Sequence, residues 1–350
     1  MGNQGLEAAY ITRPVSIAYL TGFEADPHER LMALAVRPDR ATLIVPALER
    51  DHAVAGSKQA EVVGWRDGED PYELVREALE DCARLGVEKE HLTLQAAESL
   101  SARVGAVELV DVAPEVRRLR RTKSSDELEK LARACVITDA VTEEVMLQLR
   151  AGQSELAVAL MVNAAIAEYG ATPSFETLAQ SGPNSAVPHH RPSAHELEAG
   201  ELVLLDFGGA FEGYRADITR MAVIGEPTAR QLEIHDLVLR AHDAAIEAVR
   251  AGVTTGEVDA AARKVIEAAG LGDRFFHRVG HGLGLEAHED PSLDPGSMTV
   301  LEPGMVFTIE PGIYIPLWGG VRIEDDVVVE DSGCRVLTKA DRKLRLVLPV

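Results

Sequence analysis

Cysteine is scarce in this chain. The three present, Cys82, Cys135 and Cys334, are odd in number and far apart. That excludes a disulfide framework and leads us to expect a reducing compartment, with the thiols acting as small buried hydrophobes. Long apolar runs are also missing, since no window approaches the ~18 uninterrupted apolar residues of a membrane span. The start MGNQGLEAAY has neither the basic region nor the apolar stretch of an export signal. Met1-Gly2 would suit myristoylation, but Leu6 stands where that signal has Ser or Thr. Positive charge is short: 35 Lys and Arg face 57 Asp and Glu, for a net charge of −22. Such a surface repels nucleic acid and anionic membrane alike, so neither is expected as a partner and a cytoplasmic, soluble enzyme is. Several catalytic signatures are absent as well. There is no G-x-S-x-G, no H-E-x-x-H, and no Lys after the glycine-rich GHGLG at 280–284.

What is present begins with size. A chain of 350 residues, 46% apolar, suggests one large domain or two unequal ones. Up to about residue 115 short apolar runs alternate with helical patterns. LMALAVRP and ATLIVPA read as strands, and DPYELVREALEDCARLG reads as a helix closed by Gly86. This is a small α/β domain without a catalytic constellation of its own. The basic run RRLRRTK (117–123) then meets Ser124, and Glu127 three residues later completes a capping box that opens a new helix. The expected domains are therefore 1–118 and 119–350.

The second part echoes itself. A helix from 125 ends at Arg150-Ala151-Gly152 and another, opened by Ser154, runs to Gly170. A hundred residues later a helix from near Thr228 ends at Arg250-Ala251-Gly252, and the next runs to Gly270. Strand-like segments follow each pair, so two similar halves of helix, helix and antiparallel strands are expected.

Five acidic or imidazole residues stand in otherwise apolar phrases: Asp206, Asp217, His281, Glu310 and Glu324. Asp206 and Asp217 flank a hairpin turn at Glu212-Gly213, which brings them nearly opposite on one face. Like charges so placed require a cation between them. The period of two puts Arg322 and Glu324 on one face and Ile323 on the other. Four carboxylates and one imidazole suit a pair of divalent cations, with a bridging hydroxide as nucleophile at neutral pH. His189, His190, His277 and His288 lie in neighbouring phrases. The glycines around His281 argue for an extended or looped backbone rather than a helix there.

These phrases resemble the dinuclear metallopeptidases of the pita-bread fold, the group of methionine aminopeptidase, prolidase, aminopeptidase P and creatinase. The likeness covers nearly the whole chain. It implies an α+β protein, a C-terminal pita-bread catalytic domain of duplicated halves behind a smaller N-terminal creatinase-like α/β domain. It also implies two divalent ions per subunit, Mn as the native metal with Zn or Co as alternatives. Asp206, Asp217, His281, Glu310 and Glu324 would be the ligands, Asp217 and Glu324 bridging, with Glu310 doubling as general acid/base. His189 would shuttle a proton or hold substrate, His288 would meet the scissile carbonyl, and His277 would line a proline pocket. Arg322 and the N-terminal domain separate the chain from methionine aminopeptidases. The likeness thus implies a homodimeric exopeptidase cutting the N-terminal Xaa-Pro bond of short peptides. Prolidases of archaeal type carry H-E-x-P-R, whereas here His288-Glu289-Asp290-Pro291 is followed by Ser292. That favours an aminopeptidase P over a dipeptidase, although Arg322 could still contact a substrate carboxylate. A non-catalytic peptide-binding relative is the remote alternative.

Overall fold

The computed structural model describes residues 5–105 and 108–348. Met1-Gly2, and with them the myristoylation question, lie outside the described residues. Two compact units divide the chain, Met1–Arg120 and Arg121–Val350.

The first unit is built on six strands, in the order Glu61–Trp65, Ala41–Pro46, Ala33–Val36, Ala8–Ile11, Arg84–Val87, Glu108–Asp111. Alternation assigns the side chains to two cores. Tyr10, Ala33, Ala35 and Ile44 enter one, and Ile11, Leu34, Leu43 and Val45 the other. Both faces of the sheet are therefore covered. The helix expected to close at Gly86 stops earlier, spanning Tyr72–Leu79, with Glu80 at φ 52°. The helical spacing of Leu74, Val75, Ala78 and Leu79 runs out there, and Leu85 and Val87 belong to a strand parallel to Ala8–Ile11. Gly86 is a packing residue of that strand, since a Cβ on it would meet Val112 Cγ1 at 2.7 Å.

In the second unit the capping box is complete: Glu127 N donates to Ser124 Oγ at 3.4 Å and Ser124 N to Glu127 Oε2 at 2.8 Å. The helix it opens spans Ser125–Gln148, followed by Glu155–Glu168. The second pair spans Ala229–Ala248 and Thr255–Ala268. The repeat extends to single bonds. Gly152 N donates to Leu197 O and Gly252 N to Leu301 O, both at 2.9 Å. Ser154 bridges Glu196 as Thr254 bridges Val300. The duplicated helix-helix-strand architecture is thus present, and the strands Leu202–Phe207 and Ile218–Ile224 serve two apolar cores, Val203, Leu205 and Phe207 facing the first helix pair and Leu202, Leu204, Met221 and Val223 the second.

Strand Leu202–Phe207 is buried along its length and pairs antiparallel with Ile218–Ile224. The hairpin turn has both central residues left-handed, Glu212 at φ 46° and Gly213 at φ 81°. This turn sets a register in which Asp206 faces Thr219, so Asp217 is one diagonal step from Asp206 rather than opposite it. The two stay on the same face, because the offset is two residues. In the other half, Val306–Ile309 pairs with Asp325–Glu330, and the short strand His281–Gly282 lies between Val306–Ile309 and Glu289–Ser292. No helix among the described residues is long and apolar enough to cross a membrane.

Candidate metal centre

Nine of the residues singled out in the sequence, Asp206, Asp217, His189, His277, His281, His288, Glu310, Arg322 and Glu324, line one cavity of about 800 Å³. His190 is not part of its lining; its ring lies 3.6 Å from buried Glu155. Among the described residues, Asp217, His281 and Glu324 are buried with ligand atoms all within 4.8 Å of one another. Glu310 Oε1 is 3.4 Å from His281 Nε2, and Asp206 is held through Oδ2 by the Arg322 guanidinium.

Each side chain has a structural reason to be where it is. Gly280 and Gly282 flank His281 because neighbouring strands press on that backbone. A Cβ would lie 1.8 Å from Thr308 O at the first and 2.2 Å from Asp290 O at the second. Thr308 Oγ1 takes the His281 N–H at 3.1 Å and lies 3.5 Å from Glu310 Oε1. Thr219 Oγ1 donates to Glu324 Oε2 at 2.6 Å and accepts from Arg322 Nε at 3.0 Å. The Asp217 N–H is taken by Asp326 at 3.0 Å, and Arg220 donates to the Glu324 carbonyl at 2.6 Å. Buried Glu155 accepts from Ser181, Asn184 and Ser193, which fastens the segments on either side of His189. Most of these supports are not legible from spacing, because they join residues as far as 109 positions apart. Thr219 and Thr308, each two residues from a singled-out carboxylate, carried the usable signal.

The electrostatics call for a cation. Burial, then the charge of Glu324 and Asp206, pushes Asp217 well above the usual carboxylate range. Glu324 is raised in the same way by burial and by Glu310. Burial lifts Glu310 to about 7, although Arg322 pulls against it. His281 is held well below its ordinary value by burial and by His288, so its ring is neutral and able to ligate. Asp206 Oδ1 and Asp217 Oδ1 are buried with no hydrogen-bond partner among the described residues. Unmet carboxylate oxygens, a neutral imidazole and acids that resist ionising together fit hard divalent ions.

The wall beside the cluster is aromatic. His277 Nδ1 donates to the Arg278 carbonyl at 2.7 Å, which leaves Nε2 to accept from Tyr314 Oη at 3.0 Å. Tyr314 Oη in turn accepts from Arg322 Nη1 at 2.8 Å. Burial and the Arg322 charge depress His277 to about 4, and burial raises Tyr314 to about 12. The Phe276 ring packs tilted against that of Tyr314, centroids 5.4 Å apart at 44°. Arg322 thus spends its donors on Asp206, Thr219 and Tyr314. Ser292, the residue read as a missing anchor, accepts from Arg278 Nη1 at 2.8 Å, and Arg278 lines the cavity.

Comparison with known proteins gives the same picture. Residues 129–331 match Metallopeptidase family M24 and residues 1–122 match the Creatinase/Prolidase N-terminal domain. A peptidase of Staphylococcus aureus (strain bovine RF122 / ET3-1) is 38% identical over 344 residues, 98% of this chain and 97% of the relative. The Xaa-Pro dipeptidase from Bacillus anthracis superposes with a TM-score of 0.92 at 34% identity, covering 98% of this chain and 96% of that one. An X-Pro aminopeptidase from Thermotoga maritima MSB8 gives 0.90 at 32% identity and 98% of each chain. With its pita-bread domain, its creatinase-like N-terminal domain and its buried ligand cluster, the chain belongs to metallopeptidase family M24.

Proposed function

We propose that the protein is a metal-dependent exopeptidase that hydrolyses the N-terminal Xaa-Pro bond of short peptides. The observation that carries this reading is the buried carboxylate and imidazole cluster with unmet oxygens at one end of an aromatic-walled cavity. Asp206, Asp217, His281, Glu310 and Glu324 would hold two divalent ions. When bound, these supply Lewis acidity and lower the pKa of water enough to give a nucleophile near neutral pH. Glu310 takes the proton of the attacking water and returns it to the departing nitrogen, a role suited to a buried carboxyl beside His281. His288, its ring 4.2 Å from that of His281, donates toward the scissile carbonyl as negative charge develops on it. His189, exposed in the cavity wall, holds the substrate or passes a proton outward. The Phe276, His277 and Tyr314 surface packs against the proline ring.

Between the two branches of this chemistry we favour an aminopeptidase P. The cavity lies high in the ~300–1,000 Å³ range that takes drug-sized ligands, so it leaves room beyond a dipeptide. Restriction to dipeptides is the second reading, favoured by the Bacillus anthracis dipeptidase likeness. The test is direct. Protein stripped of metal and reloaded with Mn, Co or Zn is expected to release alanine from Ala-Pro-Ala and Ala-Pro but not from Ala-Ala-Ala. No release from either proline peptide would sink the proposal, and turnover of the dipeptide alone would reverse the order of the two readings.

A further inference from the structure

Three guanidinium groups line the cavity, those of Arg191, Arg278 and Arg322. Arg322 is engaged by Asp206, and Arg191 pairs with Glu176 at 3.1 Å on exposed surface. Arg278 is different. Among the described residues no carboxylate lies within ion-pair distance of it, and its side chain makes one hydrogen bond, from Nη1 to the neutral Ser292 Oγ at 2.8 Å. In a chain with 57 acidic residues against 35 basic ones, a guanidinium in a cavity wall with no carboxylate in direct contact has donors available to an incoming anion.

The position is built. Arg263 donates to the carbonyls of Phe275 at 2.8 Å and His277 at 2.9 Å while paired with Asp259, and Asp259 takes the Val279 N–H at 3.1 Å. The backbone on both sides of Arg278 is thereby fixed. Ser292 then sets the direction of the guanidinium without neutralising it. One N–H of five is used, which leaves the Nε–Nη2 edge free for a planar two-oxygen acceptor. The cation also lies within electrostatic reach of His281, His288 and Glu310.

We propose that Arg278, oriented by Ser292, is the specificity-determining residue of this site and pairs with the free α-carboxylate of the fragment that follows the scissile bond. This rests on the peptidase reading given above. It makes a free C-terminus close behind proline a recognition element, whether it belongs to proline itself or to the next residue.

The test is equilibrium binding to the full-length, Mn-loaded chain, which needs no turnover. The probes are Ala-Pro with its scissile carbonyl reduced to methylene, the same compound as a C-terminal amide, and both compounds extended by one alanine. The wild type is expected to bind the acid about 10- to 100-fold more tightly than the amide at one of the two lengths, as a charge-assisted pair implies. In Arg278→Gln that ratio falls to about 1, and in Ser292→Ala it falls several-fold. Equal affinity for acid and amide at both lengths in the wild type, or a ratio that persists in Arg278→Gln, overturns the proposal. Should Arg278→Gln fail to fold, Ser292→Ala decides by the same ratio. Turnover of Ala-Pro and Ala-Pro-Ala is measured alongside. Carboxylate preference without turnover removes only the reaction, and turnover without carboxylate preference removes only the assignment of Arg278.

Discussion

Thr219 links the two charged sides of the centre. Its hydroxyl donates to Glu324 and accepts from Arg322, while its carbonyl takes the Glu324 N–H at 3.3 Å. Thr219→Val keeps the shape and the strand bond but removes both side-chain bonds. We expect the affinity for Mn or Zn, measured by titration of the stripped protein, to fall about 10- to 100-fold with the fold retained. An unchanged affinity would mean that Glu324 is oriented by its backbone alone. At this scale the sequence was legible wherever a charged residue interrupted an apolar phrase, as at Asp206, Asp217 and Glu310. It was illegible where polar groups meet across long separations. Nothing in the spacing of Ser292 and Arg278 signals their bond, and nothing marks Asp326 as the acceptor for Asp217 N.

The strand carrying His281 is the most constrained element of the site. Ala at position 282 would set its Cβ 2.2 Å from Asp290 O and 2.4 Å from Asp290 C, atoms of backbone that cannot rotate aside. Gly282→Ala is therefore expected to destabilise the protein by about 1–3 kcal/mol or more, read from the denaturant midpoint, and to weaken metal binding by displacing His281. A variant as stable as the parent would show that the three-strand arrangement can spread. The glycines around His281 did exclude a helix, but did not show why they are needed, which lies in the neighbouring strands that bring Asp290 against Gly282 and Thr308 against Gly280. The same asymmetry appears elsewhere. The capping box at Ser124 was readable because its partners are three residues apart. The end of the Tyr72–Leu79 helix was not, because the competing pull was a parallel strand partner at Ala8–Ile11.

For the whole molecule, the centre sets a cost that depends on pH. Asp217, Glu310 and Glu324 have folded-state pKa values above the ordinary range, that of Glu310 rising from 4.5 to about 7. In the metal-free chain their contribution to stability is fully present below about pH 4 and is lost as pH rises through the shifted values. His281 is shifted downward and already neutral, so it yields no proton when an ion binds. Ion binding displaces carboxyl protons, and the difference in Tm between metal-loaded and chelated protein is expected to widen steadily from pH 5 to pH 8 in differential scanning calorimetry. A constant gap would place the proposed ligands outside the ion's reach. The hundred-residue repeat of the helix pairs adds a consequence in time. Asp206 and Asp217 come from the first half, and His281, Glu310 and Glu324 from the second. On the ribosome, the first half emerges with only Asp206 and Asp217 of the five proposed ligands. On that proposal, metal loading would wait until both halves have arrived and met.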